Sequence, residues 1–180
     1  TELIGGGLSL RVRLPNEATT LFLRGDYGDV SLGTPARRAL DAKGDRVSFS
    51  IGLRHEVPLG EREKITFGTD LKMQRSRGSV FGVPVLDEDL RLLRASMLYE
   101  NGIPFFTKRE AGLSFTAGLG GNNAPDRMSL PGATDEFLTI AAAAAISLPL
   151  SKRYVFSSGV IAQWTDDSLP LSARCGFATN

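Results

Sequence analysis

The residues able to do chemistry are few, and their spacing argues against catalysis. His55 is the only histidine and Cys175 the only cysteine, so neither a disulfide framework nor a zinc site of the usual Cys/His spacing can form within the chain. His55 and Glu56 are adjacent. On a strand they point to opposite faces, which removes them as an acid/base pair. Cys175 has no histidine near it in sequence and reads as an incidental thiol. Asp166 and Asp167 offer too few ligands for calcium. Gly5, Gly6 and Gly7 precede a strand rather than opening a helix, so a phosphate cradle is not expected. The chain therefore reads as not an enzyme, with no cofactor and no resident metal. What remains is a set of charges threaded through apolar stretches: Arg11, Arg13, Arg24, Asp26, Arg54, Glu56, Asp70, Lys72, Arg94, Glu100, Lys108 and Glu110.

Those charges are positioned by a two-residue period. In Phe105–Leu119 one series is Phe105, Thr107, Arg109, Ala111, Leu113, Phe115, Ala117 and Leu119, and the interleaved series is polar or very small. Such sorting predicts a strand with one apolar and one wet face. The same sorting predicts strands over Leu8–Leu14, Thr19–Tyr27, Val47–Val57, Ile65–Gln74, Leu93–Glu100, Glu136–Leu148 and Tyr154–Trp164. Two features resist it. Phe22 interrupts the second strand's pattern, and Ala141–Ala145 would favour a helix on propensity alone, though a helix there would break an all-strand series. Short turns are expected at Pro15–Glu17, Pro58–Arg62, Asn101–Pro104 and Pro149–Lys152. Long connections are expected over Gly28–Asp45, Arg75–Glu88 and Gly120–Thr134.

Composition narrows the class. The 180 residues are enough for one domain with a core. Lys plus Arg total 21 and Asp plus Glu total 20, a net charge of +1, which gives no field to recruit nucleic acid. No apolar run is long enough for a transmembrane helix, but membrane barrels carry a much weaker hydropathy signal. The start lacks the basic and apolar regions of a signal peptide. Short and long connections alternate, so the long ones fall at one end of the sheet. That asymmetry, with strands of about ten residues or more, predicts an all-β, antiparallel up-and-down transmembrane barrel of the bacterial outer membrane. The listed charges would line a polar lumen, and lipid would contact the apolar face. Tyr27, Tyr99, Tyr154 and Trp164 lie towards strand ends, as interfacial aromatics do. About eight strands with both ends on the long-loop side predict a segment of a larger barrel. The alternatives are another outer-membrane barrel, of porin or barrel-assembly type, and a soluble calycin-like module whose charged face is simply solvated.

Several motifs carry a resemblance. Gln163 and Trp164 are followed by Asp166, Asp167, Leu169, Pro170, Ser172 and Gly176; Asp26, Tyr27, Gly28 and Gly33 lie at the end of the second strand; and Val57, Pro58, Leu59 and Gly60 form a turn. In this order they resemble the two-partner secretion transporters, the TpsB or haemolysin secretion/activation family. The resemblance implies a 16-stranded barrel behind periplasmic POTRA domains, through which a secreted adhesin or haemolysin, the exoprotein cargo, crosses unfolded without ATP. It covers roughly residues 20 to 176. The family's Gly-Gly turn reads Cys175, Gly176, Phe177 here, and neither its Val-Arg-Gly-Tyr motif nor the POTRA domains lie within these residues.

Overall fold

In a computed structural model, residues 2–31, 42–103, 107–121, 133–151 and 154–170 are described, with the side chains of 2, 3, 30, 31, 103, 107 and 108 left out. They form one antiparallel sheet of eight strands in sequence order: β1 (Glu2–Arg13), β2 (Thr19–Ser31), β3 (Lys43–Pro58), β4 (Glu63–Val80), β5 (Val83–Ile103), β6 (Thr107–Leu119), β7 (Glu136–Pro149) and β8 (Val155–Thr165). No helix occurs among the described residues. The sheet is open, each strand pairing with its chain neighbours and β1 not meeting β8. The all-β, up-and-down reading holds, and Ala141–Ala145 is strand, paired residue by residue with β6 and β8. Tertiary pairing overrides the alanines' helical propensity because both neighbouring strands offer unbroken ladders.

Strand pairing keeps parity across the sheet. One outer row runs Leu23, Ile51, Leu71 and Leu93, and the next runs Leu21, Leu53, Thr69 and Ala95. Leu8, Leu10 and Val12 of β1 join the same face through Gly25, Leu23 and Leu21. Many of these side chains are exposed, Leu8 by 80% and Phe49 by 48%. An apolar face this open to solvent is unusual for a water-soluble sheet and ordinary for one that faces lipid.

Connections and strand starts differ from expectation in four places, the first being Gly28–Asp45, where Gly28–Ser31 of β2 pairs with Lys43–Arg46 of β3. Arg75–Glu88 is not a loop: β4 and β5 continue pairing to Val80↔Val83 and turn at Phe81 and Gly82, whose φ values are 54° and 73°. Positive φ at both central residues is the backbone of a twist-matched two-residue hairpin turn. Arg75, Arg77, Asp87 and Asp89 alternate with inward residues on the paired strands. Asn101 and Gly102 also lie within β5, opposite Arg109 and Lys108, so the Asn-Gly pair does not make the turn; the connection moves to 104–106, outside the described residues. Gly5, Gly6 and Gly7 are strand residues paired with Gly28, Tyr27 and Asp26.

Phe22 breaks the alternation for a local reason. It faces inward directly opposite Gly52, where an added Cβ would stand 2.5 Å from the Phe22 ring and 2.5 Å from the Thr69 carbonyl oxygen. Phe137 makes the same arrangement with Gly118. An aromatic ring laid over a cross-strand glycine covers backbone that would otherwise be bare.

The buried core is small and lies on the inner face. Leu90 and Leu92 of β5, Phe137 of β7 and Leu169 are buried together, and Pro170 is fully buried. After β8 the chain turns inward. Asp166 fixes the turn, its N–H donating to the Leu138 carbonyl (3.2 Å) while its Oδ1 accepts from the Leu138 N–H (2.7 Å). The Thr134 N–H then donates to the Ser168 carbonyl (3.0 Å), which brings Leu169 across to β5.

Candidate functional site

Of the charges the sequence singles out, the register places Arg11, Arg13, Arg24, Asp26, Arg54, Glu56, Asp70, Lys72, Arg94, Glu100 and Glu110 on the inner face. Lys108 shares that parity, but its side chain is outside the described set. The period of two is the whole cause: each of these residues is offset by one from an outward apolar residue.

Two groups emerge on that face. The first spans β2 to β5 in the half towards the β4–β5 hairpin. Arg24 Nε donates to both carboxylate oxygens of Asp26 (2.8 and 3.1 Å), and Ser48 Oγ reaches Asp26 Oδ2 at 3.5 Å. The Arg46 guanidinium donates to Gln74 Oε1, and Gln74 Nε2 donates to Ser76 Oγ (3.4 Å). Gln74, Ser76 and Glu88 are buried. Asp70 stands opposite Arg94 in register, and Lys72 opposite Ser50 and Leu92. The array presents charge of both signs, with Arg24, Asp26, Arg46, Gln74 and Ser76 hydrogen-bonded to one another in pairs, so it offers a mixed polar wall rather than a single-sign patch.

The second group sits at the short-turn end. Lys64 Nζ lies 3.2 Å from Glu100 and 3.7 Å from Glu56, and Glu110 faces Glu100 in register. Nearby, the Arg54 guanidinium stacks over the Phe22 ring at 5.3 Å, a cation–π contact that orients the arginine along the wall.

Arg46, Lys64, Gln74, Ser76 and Glu88 are the members that sequence reasoning missed. Arg46 and Lys64 sit one residue before the expected starts of their strands, and Ser76 and Glu88 fall in the expected loop. The signal was present: continuing the alternation outward from Ser48, Thr66, Gln74 and Leu90 assigns all of them to the wet face.

The remaining candidates scatter. His55 is exposed on the outer face, its Nδ1 2.8 Å from Thr19 Oγ1, and Glu56 turns the other way. Asp26 and Gly28 lie inside β2, Pro58 ends β3, and Gly60 sits in the short turn, where its N–H reaches the Glu63 carbonyl at 3.4 Å. Gln163 is on β8 opposite Ala141. Leu169 and Pro170 are the motif residues with a clear structural task, filling the apolar patch on the inner wall. Gly33, Cys175 and Gly176 lie outside the described residues. Asp166 and Asp167 are engaged in the turn after β8, Asp167 Oδ1 accepting from the Ser168 N–H at 2.8 Å. No group of three or more His, Cys, Asp or Glu side chains suited to a metal occurs among the described residues.

No protein-family model matches the sequence. No curated protein matches it either. Among solved structures the chain is similar to CdiB from Escherichia coli, with a TM-score of 0.72 over 92% of this chain at 17% identity. The match spans 32% of the CdiB chain. At that identity the likeness concerns the fold alone, an antiparallel up-and-down β-sheet.

Proposed function

We propose that this chain is a segment of wall from an outer-membrane β-barrel that passes an unfolded secreted protein, in the manner of two-partner secretion transporters. The observation that carries the reading is the division of one sheet into an exposed apolar face and a hydrogen-bonded charged face. On β3 the apolar outer series runs from Val47 to Val57. Ten residues at ~3.3 Å each, tilted by about 40°, span roughly 25 Å, the height of a barrel's lipid-facing band. Aromatics bracket it: Tyr27 lies in the Val47 row and Tyr99 in the Val57 row, both on the outer face. The fold-level likeness to CdiB and the Leu169-Pro170, Val57-Pro58-Leu59-Gly60 and Asp26-x-Gly28 motifs support the secretion reading over a diffusion pore.

On this reading the wall does no covalent chemistry. A chain crossing an aqueous lumen meets charges of both signs, some of them paired, as Arg24 is with Asp26 and Lys64 with Glu100, so no single-sign patch holds it tightly. The cargo would be an extended, polar exoprotein segment, and the energy for its passage would come from outside the wall.

Refolding tests the membrane assignment. In detergent micelles the protein should give β-type circular dichroism and heat-modifiable mobility in gels, and without detergent it should aggregate. A sharp folded monomer in plain buffer would overturn the reading in favour of a soluble β module. Secretion of a co-expressed exoprotein, lost when Lys72 and Arg94 are replaced by leucine, would support a conduit role for the inner wall.

A further inference from the structure

We propose that Arg75, Arg77 and Arg91 form a docking site on the outer face for the phosphate groups of an anionic glycolipid in the outer leaflet. The inference rests on the membrane reading above. Successive outer rows run outward along β2 to β5. Leu23, Ile51, Leu71 and Leu93 are followed by Gly25, Phe49, Met73 and Arg91, then Tyr27, Val47, Arg75 and Asp89, then Asp29, Asp45, Arg77 and Asp87. Arg91 thus stands one step from Leu93 at the rim of the apolar band, with Arg75 on its diagonal and Arg77 one row beyond. At that height an arginine buries its stem along apolar neighbours and lifts its guanidinium into the headgroup layer.

The guanidiniums are only lightly committed within the protein. Arg75 and Arg77 are each half-exposed and share one carboxylate, Asp87, at 3.6 and 3.8 Å. Those separations exceed the roughly 2.7–2.9 Å of a charge-assisted hydrogen bond. Arg91 is exposed and joins none of the ion pairs found among the described residues. Each guanidinium carries about five N–H donors in a planar fork that matches a phosphate. On β4 and β5 the rim carries three arginines against two aspartates, Asp87 and Asp89. The two rows nearest the apolar band hold Arg91, Arg75 and the single carboxylate Asp89, whereas Asp29, Asp45 and Asp87 share Arg77's row, one step farther out. Charge complementarity and continuity with the lipid-facing band point to a phosphorylated lipid as the occupant.

The test uses the protein purified from outer membranes in mild detergent, titrated with bisphosphorylated lipid A and with its dephosphorylated form, and read by native mass spectrometry. The phosphorylated form should be retained at least about tenfold better, the scale of one lost charge-assisted hydrogen-bond set. R75Q/R77Q/R91Q should erase that preference, whereas R109Q, an exposed outer-face arginine at the opposite end of the sheet, should keep it. If the triple variant fails to show heat-modifiable mobility, R91Q alone, which breaks no ion pair, should still lower the preference by about threefold or more. Equal retention of both lipids by a folded, detergent-dependent protein overturns this site while leaving the barrel reading intact. Displacement by millimolar inorganic phosphate overturns the lipid as the source. A protein folded without detergent overturns both.

Discussion

Across β2 to β5 the inner face carries Arg24, Asp26, Arg46, Lys72, Gln74 and Glu88, whereas across β6 to β8 it carries Ser114, Thr116, Gly118, Thr139, Ala141, Ala143, Gly159 and Gln163. The same alternation built both halves, yet the contents differ. The first half is a network, in which one side chain's position depends on its cross-strand partner. The second is a lower surface, mostly of small residues, with Glu110, Phe137, Ile161 and Gln163 standing out of it. That difference explains where the chain goes after β8: Leu169 reaches Leu90 and Leu92 by passing over β6, where Thr116 and Gly118 leave room that an arginine would fill. A polar wall on one side and a recess for an apolar plug on the other are thus two uses of one sheet face.

The sharpest way to break this contrast is at the plug. Leu169→Ala removes buried contacts with Leu90, Leu92 and Phe137 and should cost about 2–4 kcal/mol of local stability. Limited proteolysis of the micelle-bound protein should then cut near 166–170 while the strands stay protected; an unchanged cleavage pattern would mean the plug holds without its leucine. A bulky change beneath Phe22 comes next. Gly52→Val places atoms where a Cβ already meets the Thr69 carbonyl oxygen at 2.5 Å, so urea unfolding in detergent should show a loss of about 2–3 kcal/mol. Phe22→Ala should rescue it only in part, because the backbone clash remains.

Within the network, Arg46→Ala leaves the buried Gln74 Oε1 without its donor and should cost about 1–2 kcal/mol. Restoring most of that loss with Gln74→Leu in the same chain would show the two act as a pair. The smallest effect belongs to the low-relief half. Thr139 Oγ1 is buried with no hydrogen-bond partner among the described residues, so Thr139→Val should be neutral or stabilising by up to about 1 kcal/mol. A clear destabilisation there would reveal a polar partner in the recess.

Much of this was legible before any coordinates. The inner placement of Arg54, Glu56, Asp70, Lys72 and Arg94 follows from their odd spacing from the outward Ile51, Leu71 and Leu93, because successive side chains on a strand must alternate. Phe22 was legible only as an irregularity, since its glycine partner lies thirty residues away in sequence and on another strand. The β4–β5 hairpin is longer than the apolar alternation shows, because the apolar series stops short of its tip. Beyond the apolar rows, an extended hairpin must be polar on its outer side as well, so Arg75, Arg77, Asp87 and Asp89 say where the band ends and not where the strands end.

By itself, the sequence determined the strand series and the sign of each face, both of which depend on residue type and local period. Only the tertiary structure decided which strands extend past the apolar rows, which glycine each inner phenylalanine covers, and that Leu169 and Pro170 turn in to fill the gap between β5 and β7. The physical reason is range. Alternation is set by each residue's own backbone, whereas register, plug and hairpin length are fixed by contacts between residues far apart in the chain, which no local period encodes.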